Sequence, residues 1–259
     1  MVADEHPYAS LAEELRGTSI GAIRYVESTA STNDDAAALL GDPTAFGTTI
    51  VAEYQTSGAG RKGRSWLAQP GTSLLMTSIL PRSIPASHLW VVPFGVAIAV
   101  RRALRNNGVP AHLHWPNDLL AGDGKVAGIL CISRIVGDRA WVAAGVGINV
   151  HRTPGAAEGI DPPPAFCDDF APADRKNLLR DILLNYDVWH STLDMPPRIA
   201  RVWERQAHIP GARYRILKDG TSTPIEVTAL SLAAGGGLLV QHDDGTRETI
   251  NLADARALR

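Results

Sequence analysis

A few short segments of this sequence carry the residue types that reaction chemistry needs. The first is Gly58-Ala59-Gly60-Arg61-Lys62-Gly63, followed by Arg64-Ser65-Trp66: a glycine-rich loop with three cations. Glycines let backbone N–H groups approach an anion closely, and a guanidinium grips carboxylate or phosphate oxygens in two places. The loop matches G-x-G-x-x-G, but that pattern holds a dinucleotide only when a helix leaves the loop and meets the pyrophosphate. Here Leu67 to Leu80 contain a proline, a glycine and then strand residues, and no acidic residue lies about 20 positions on. The loop therefore reads as an anion cradle of another kind. The second segment is Lys125, directly after the turn residues Asp123-Gly124. The others are Ser31-Thr32-Asn33, Trp115-Pro116-Asn117-Asp118 and Gly145-Val146-Gly147-Ile148-Asn149-Val150. Taken singly, each has a plainer explanation: Ser31 caps a helix, Lys125 is a surface lysine, Trp66 is core, and Asn117 and Asn149 sit in turns.

Charge sharpens the picture locally. The 259 residues carry a formal net charge of -2, so nothing global points to nucleic acid or a membrane surface. Yet from Tyr54 to Asn117 there is no Asp or Glu, while Arg61, Lys62, Arg64, Arg82, Arg101, Arg102 and Arg105 all fall there. The two cysteines, Cys131 and Cys167, form no CxxC, and no His cluster has metal spacing. A disulfide framework is not expected, which favours a reducing compartment. The N-terminus lacks the basic and apolar regions of a signal peptide, and the apolar runs are broken before membrane-spanning length. The expectation is a cytoplasmic protein.

The elements that must position these residues read as follows. Ser31 caps an alanine-rich helix, with Asp34 three residues on. TTIVAEYQ and SLLMTSIL are strands flanking the glycine loop. The stretch from Ser87 to Gly108 is a long buried helix ending in arginines and a glycine. HLHWPND is a short strand and turn. KVAGILCIS and AWVAAGVGINV are strands joined by the turn Val136-Gly137-Asp138. Asp174 caps a helix with Leu178, Leu179, Ile182, Leu183, Tyr186 and Trp189 on its apolar face. After Pro210-Gly211 come four or so short strands separated by glycine turns, which suggests a small β-barrel. A main unit over 1–206 and a small one over 207–259 are expected, in an α/β (α+β) fold.

In this order and spacing the segments resemble the biotin–protein ligase family, from about Ile23 to Val150 and more loosely to the end. Any one segment would be weak, but the ordered set is specific. The resemblance implies a class II synthetase-like ligase domain with a mixed sheet and a C-terminal SH3-like barrel. It implies an enzyme that joins biotin to ATP as biotinyl-AMP, with Mg²⁺ accompanying the ATP, and then transfers biotin to a lysine of a biotin carboxyl carrier protein. The expected catalytic pair is Lys125 and Arg61. Biotin is expected against Ser31, Thr32, Asn33, Gln55, Gly58, Ala59, Gly60 and Gly128, besides Lys125 and Arg61. ATP is expected against Arg61, Arg64, Trp66, Asn117, Lys125 and Asn149. No protein metal ligand is expected.

Some relatives carry an N-terminal DNA-binding winged helix. About twenty residues precede the first strand here, so the single-function form is expected: no DNA, no membrane, a monomer or weak homodimer. The sequence departs from the family pattern at Ala59 and His114, where arginine and lysine are usual, and near Ser133, where a carboxylate is common. The first two changes are expected to remove positive charge close to the phosphates. The neighbouring readings are a lipoate or octanoyl ligase of the same fold and a non-catalytic biotin-binding relative.

Overall fold

The structure is a computed structural model and describes residues 6–155, 160, 163–253 and 255–258. A mixed sheet dominates. Its strands are β1 (Ile23–Thr29), β2 (Thr49–Gln55), β3 (Ser73–Ile79), β4 (Ile84–Pro85), β5 (His112–His114), β6 (Asp118–Ala121), β7 (Gly124–Val136) and β8 (Arg139–Asn149). They run in the order β1-β2-β3-β8-β7-β6-β5, with β4 paired to β8. Only β1 and β2 pair in parallel; the other ladders are antiparallel. A helix, α2 (Thr32–Ala37), crosses between the parallel pair, and a short α1 (Leu11–Glu14) precedes them. The Ser31 side chain accepts a hydrogen bond from Asn33 N at 3.3 Å, so the expected cap is present.

The period-2 pattern of β8 divides the molecule into two layers. Ala140, Val142, Ala144, Val146 and Ile148 enter the main core, with Phe94, Val96 and Val100 of α3 (Val92–Asn106) and Leu178, Leu179 and Ile182 of α4 (Arg175–His190). On the other face Ala143 joins Ala36 and Leu40 of the α2 region in a smaller core. Further along that same face the residues are Gly145, Gly147 and Asn149, and side chains give way to a cleft. A third long element, α5 (Pro196–Gln206), was not legible in the sequence. It packs on α3 and buries Ile199, Ala200 and Trp203, with Pro at its first turn.

The C-terminal part is a second sheet of β9 (Arg213–Lys218), β10 (Ile225–Leu232), β11 (Leu238–Gln241), β12 (Arg247–Ile250) and β13 (Ala255–Leu258). All its pairings are antiparallel, in the order β12-β11-β10-β9-β13. That agrees with an SH3-like tail, with one strand more than the four expected. One correction follows: the ladder does not close into a barrel among the described residues, because β12 and β13 end the sheet without pairing each other.

One buried polar group makes the fold acid-sensitive. His190, at the end of α4, is 5% exposed. Its Nδ1 shares a hydrogen bond of 3.2 Å with Ser19 Oγ, and its Nε2 finds no partner among the described residues. Burial pushes its pKa down to about 4, with Asp187 opposing and Arg82 assisting. In the unfolded chain a histidine titrates near 6.5, so between roughly pH 6.5 and 4 the unfolded state binds the extra proton. Stability is present above that window and falls as pH drops through it, by about 3 kcal/mol from this group. His190→Phe should flatten the fall in melting temperature over this range relative to the native chain. An unchanged slope would remove His190 as its source.

Candidate functional site

The glycine loop is a hairpin. Thr56 and Ser57 continue the pairing of β2 through hydrogen bonds to Thr29 O and Ala30 O, both 2.9 Å. Trp66 N then donates to Gly58 O at 2.8 Å and Gly60 N to Arg64 O at 2.7 Å, with Ala59 facing Ser65 in an isolated bridge. The reversal is made by Lys62 and Gly63, whose φ angles are 55° and 71°. No helix leaves the loop, as the sequence reading required. Instead its tip is fastened to turns that join strands of the second sheet. Lys62 Nζ lies 2.6 and 2.7 Å from the two Asp219 oxygens, and Arg61 donates to Leu252 O at 2.6 Å.

Beneath the hairpin the main sheet is bare. Gly128 of β7 and Gly147 of β8 are direct cross-strand partners, and Leu130 pairs with Gly145 one step on. A Cβ on Gly147 would lie 2.6 Å from the Trp66 ring, and one on Gly128 would lie 3.0 Å from it and 2.7 Å from Lys125 Nζ. A Cβ on Gly145 would lie 2.3 Å from Asn33 Oδ1. Side chains therefore rest directly on the backbone of the sheet, which only glycine permits. The Trp66 indole is the group that covers this floor, with its Nε1 buried and unpartnered among the described residues. The sequence reading placed Trp66 against a nucleotide; here it occupies the glycine surface itself.

Successive odd positions of β8 are about 7 Å apart, so the cleft has an order along the strand. At Gly145 stands a polar cluster. Thr32 donates to Gln55 Oε1 through its N at 2.8 Å and its Oγ1 at 2.9 Å. Thr77 Oγ1 reaches Thr32 Oγ1 at 2.8 Å and Asn33 Oδ1 at 2.9 Å, and Asn33 Nδ2 donates to Leu130 O at 3.2 Å. Thr77 was not singled out in the sequence; it lay unmarked inside a strand, and only its pairing across to α2 reveals it. At Gly147 is the indole-covered floor. Beyond it is Asn149, whose Nδ2 donates to Lys125 O at 3.0 Å and Ala165 O at 3.3 Å and so fixes the start of β7.

The charged end gathers Lys125, Arg61 and a carboxylate that sequence reasoning passed over. Lys125 Nζ lies 2.7 Å from Asp118 Oδ1 and 5.3 Å from the Trp66 ring centroid. The side chains of Lys125 and Asp118 are 18% and 12% exposed, so the pair is largely shielded from water. Arg61 donates to Asn117 Oδ1 at 3.1 Å, and Asn117 Nδ2 to Ile129 O at 2.7 Å. Burial draws the Arg61 guanidinium below its ordinary pKa; Asp118 opposes this and Arg64 adds to it. Asp118 was legible only as part of Trp115-Pro116-Asn117-Asp118. Its value comes from the bulge between Leu119 and Leu120, which sets Asp118 opposite Gly128 and within reach of Lys125.

The cleft encloses about 460 Å³, within the range of small-molecule sites. Ser31, Thr32, Asn33, Gln55, Ala59 and Gly60 line it. So do Arg61, Arg64, Trp66, Asn117, Lys125, Gly128 and Asn149. Gly58 is the exception among the expected residues: it lies behind the wall, where a Cβ would meet Trp66 O at 2.6 Å. His114 needs a correction. It packs on Tyr214 of the second sheet at 4.9 Å between ring centroids and is not on the cleft wall, so its replacing a lysine does not strip charge from the cleft lining. Among the described residues no His, Cys, Asp and Glu group could hold a metal, and no helix is long and apolar enough to cross a membrane. Chemically the cleft offers donors and acceptors at one end, a flat apolar middle, and two cations at the other end.

Comparison with known proteins agrees with this arrangement. The model of the biotin/lipoate A/B protein ligase family matches residues 25–149. The chain is 30% identical over 225 residues to the biotin–[acetyl-CoA-carboxylase] ligase of Mycobacterium tuberculosis, covering 82% of this chain and 81% of that protein. It is 34% identical over 132 residues to the bifunctional ligase/repressor BirA of Bacillus subtilis, covering 50% of this chain and 41% of that protein, so it spans about two fifths of the length of that relative. The solved structure of biotin protein ligase from Aquifex aeolicus in complex with biotin and ATP is similar with a TM-score of 0.72 at 23% identity, over 92% of this chain and 98% of that one, which is a likeness of fold. By the extent and identity of the Mycobacterium tuberculosis match, the chain belongs to the biotin/lipoate A/B protein ligase family.

Proposed function

We propose that this protein is an ATP-dependent biotin–protein ligase, which forms biotinyl-5'-AMP and transfers biotin to a lysine of a biotin carboxyl carrier domain. The observation that carries the reading is the order of chemistries along β8: a hydrogen-bonding end, a bare glycine floor, and Lys125 with Arg61 at the far end. A molecule with a polar ring at one end and a carboxylate at the other fits that order. The ureido group, with two donors and one acceptor, is assigned to Ser31, Thr32, Asn33 and Gln55, and to the backbone of Ala59 and Gly60; Gly58 shapes the wall behind them. The carbon chain then lies over Gly128, and the carboxylate reaches Lys125 and Arg61. A lipoate ring has no such donors or acceptor, so it would gain no hydrogen bonds from this polar cluster, whereas a ureido ring can exchange them. That argues against the lipoate reading.

In the first step a biotin carboxylate oxygen bonds to the α-phosphorus of ATP, the bond from that phosphorus to the bridging oxygen breaks, and pyrophosphate leaves. Lys125 and Arg61 hold the two anionic reactants together and balance the charge that grows on the phosphate oxygens. Asp118, 2.7 Å from the Lys125 ammonium, holds it in place before the anions arrive. Arg64, Asn117 and Asn149 are assigned to the nucleotide. Trp66 must lift from the floor as ligand enters and becomes its cover over the adenine, excluding water from the acyl phosphate. Asp118, Asn117 and Asn149 carry oxygen donors that would help hold a Mg²⁺ ion accompanying the ATP, and such an ion would supply positive charge to the phosphate oxygens. In the second step the acceptor amine attacks the acyl carbon, loses a proton, and AMP departs.

Two experiments test this. The protein incubated with ATP, Mg²⁺, biotin and a carrier domain should yield the carrier with biotin on one lysine by mass spectrometry, and lipoate in place of biotin should not label it. Failure with biotin, or equal labelling with lipoate, would overturn the reading. In the second, Lys125→Ala should slow biotin-dependent ATP–pyrophosphate exchange by about 100- to 1,000-fold, the size of other electrostatic deletions. Its melting temperature should stay near that of the native chain. Normal exchange in the folded variant would take Lys125 out of the chemistry.

A further inference from the structure

On the helical side, away from the cleft, six arginines gather with little to neutralise them. Arg198, Arg201 and Arg205 recur at helical spacing on one face of α5, span about 10 Å along its axis, and line a shallow groove with Val202. Arg101, Arg102 and Arg105 lie in the last turns of α3, which packs against α5. Arg101 donates to Gln206 Oε1 at 3.1 Å, which brings the last turns of α3 against the end of α5 next to Arg205. None of the six enters an ion pair among the described residues. The Arg101 Nε is buried and has no partner among them.

The carboxylates on and beside these helices are engaged elsewhere. Glu204, the one acid on α5, accepts from Leu232 N at 2.6 Å. Asp181 of α4 accepts from Asn107 Nδ2 at 2.9 Å and pairs with Arg180. Asp123 faces His112, but the positive field of Arg101 and His208 joins burial in lowering that histidine's pKa. An isolated helix face usually alternates its charges, because like charges four residues apart repel. A face of unpaired arginines is instead suited to receive carboxylates, each held by two parallel hydrogen bonds.

We infer that the arginine face of α3 and α5 is a docking surface for an acidic patch on a partner protein. A nucleic acid is the less suitable polyanion for two reasons. The net charge of the chain is -2, so six cations on one face leave the rest of the molecule distinctly acidic, and an extended polyanion would be repelled beyond the patch. The groove is also lined by arginines and a valine, with no aromatic ring on which a base could stack. Because α3 covers the face of the sheet opposite the glycine floor, a partner held here leaves the cleft open. The surface is a tether for a partner, separate from the acceptor's entry to the cleft.

The test uses a fluorescein-labelled poly-glutamate peptide and a short DNA duplex as probes at low ionic strength. Fluorescence anisotropy should give binding of the peptide that weakens with salt. The Arg198→Ser/Arg201→Ser/Arg205→Ser variant should bind it at least about tenfold more weakly, a modest contribution from each exposed charge. Pyrophosphate exchange should be unchanged in that variant. In the native chain, independent of any substitution, the peptide should slow amide hydrogen exchange over 196–206 and not over 58–66. Equal peptide binding by native and variant chains, protection confined to the glycine loop, or tighter arginine-dependent binding of the duplex than of the peptide would each overturn the proposal.

Discussion

Everything in the cleft depends on two strands meeting without side chains. Gly128 and Gly147 face each other across the β7–β8 ladder, and with Gly145 they leave a strip of exposed backbone. Glycine inside a strand costs about 0.5–1 kcal/mol each in lost packing and entropy. The cost is offset on the other face, where Val146 and Ile148 sit in the core formed with α3 and α4. Because the strip is bare, Trp66 can lie flat on it, Asn33 can sit tight against Gly145, and the Lys125 ammonium can stand above Gly128. A single methyl at any of these three positions collides with one of those groups. The sheet is thus both scaffold and cleft floor.

The second sheet holds the charged end of the cleft in shape. Trp115 is fully buried; its Nε1 donates to Gly236 O at 3.1 Å and its N to Tyr214 Oη at 3.3 Å. These bonds fix the segment that carries Asn117 and Asp118. The hairpin tip is tied to turns of the same sheet through the Lys62–Asp219 pair and the Arg61 bond to Leu252 O. Lys62 and Asp219 are partly exposed, so that pair contributes little stability and can open readily. The Arg61 and Lys62 contacts give the loop a defined resting place without locking it.

Much of this was legible in the sequence, and the exceptions have physical causes. Ser31 as a cap, the glycine loop and its lack of a following helix, and the strands β2, β3, β5, β7 and β8 all rest on local rules of spacing and conformation. Thr77 and Asp118 were missed because their importance comes from tertiary pairing: Thr77 meets Thr32 from another element, and Asp118 meets Lys125 through a bulge. His114 was misjudged because a family position was read as a charge near phosphate, whereas here the ring packs under Tyr214. Helix α5 is rich in arginine, with its apolar residues confined to a narrow buried stripe, so it lacked the extended periodic pattern that marked α4. A small SH3-like barrel was expected from strand spacing and the family resemblance, neither of which says whether the first and last strands will meet.

The most direct measurement is calorimetric titration of biotin into the native chain and into Gly147→Ala. The new Cβ would lie 2.6 Å from the Trp66 ring and would occupy the floor itself. If the bare floor seats the ligand, the variant should fold with a similar melting temperature and bind biotin at least about tenfold more weakly, in line with the 1–3 kcal/mol cost of overpacking a tight site. Unchanged biotin affinity in the folded variant would mean that the ligand does not rest on Gly147, and the central claim would be wrong.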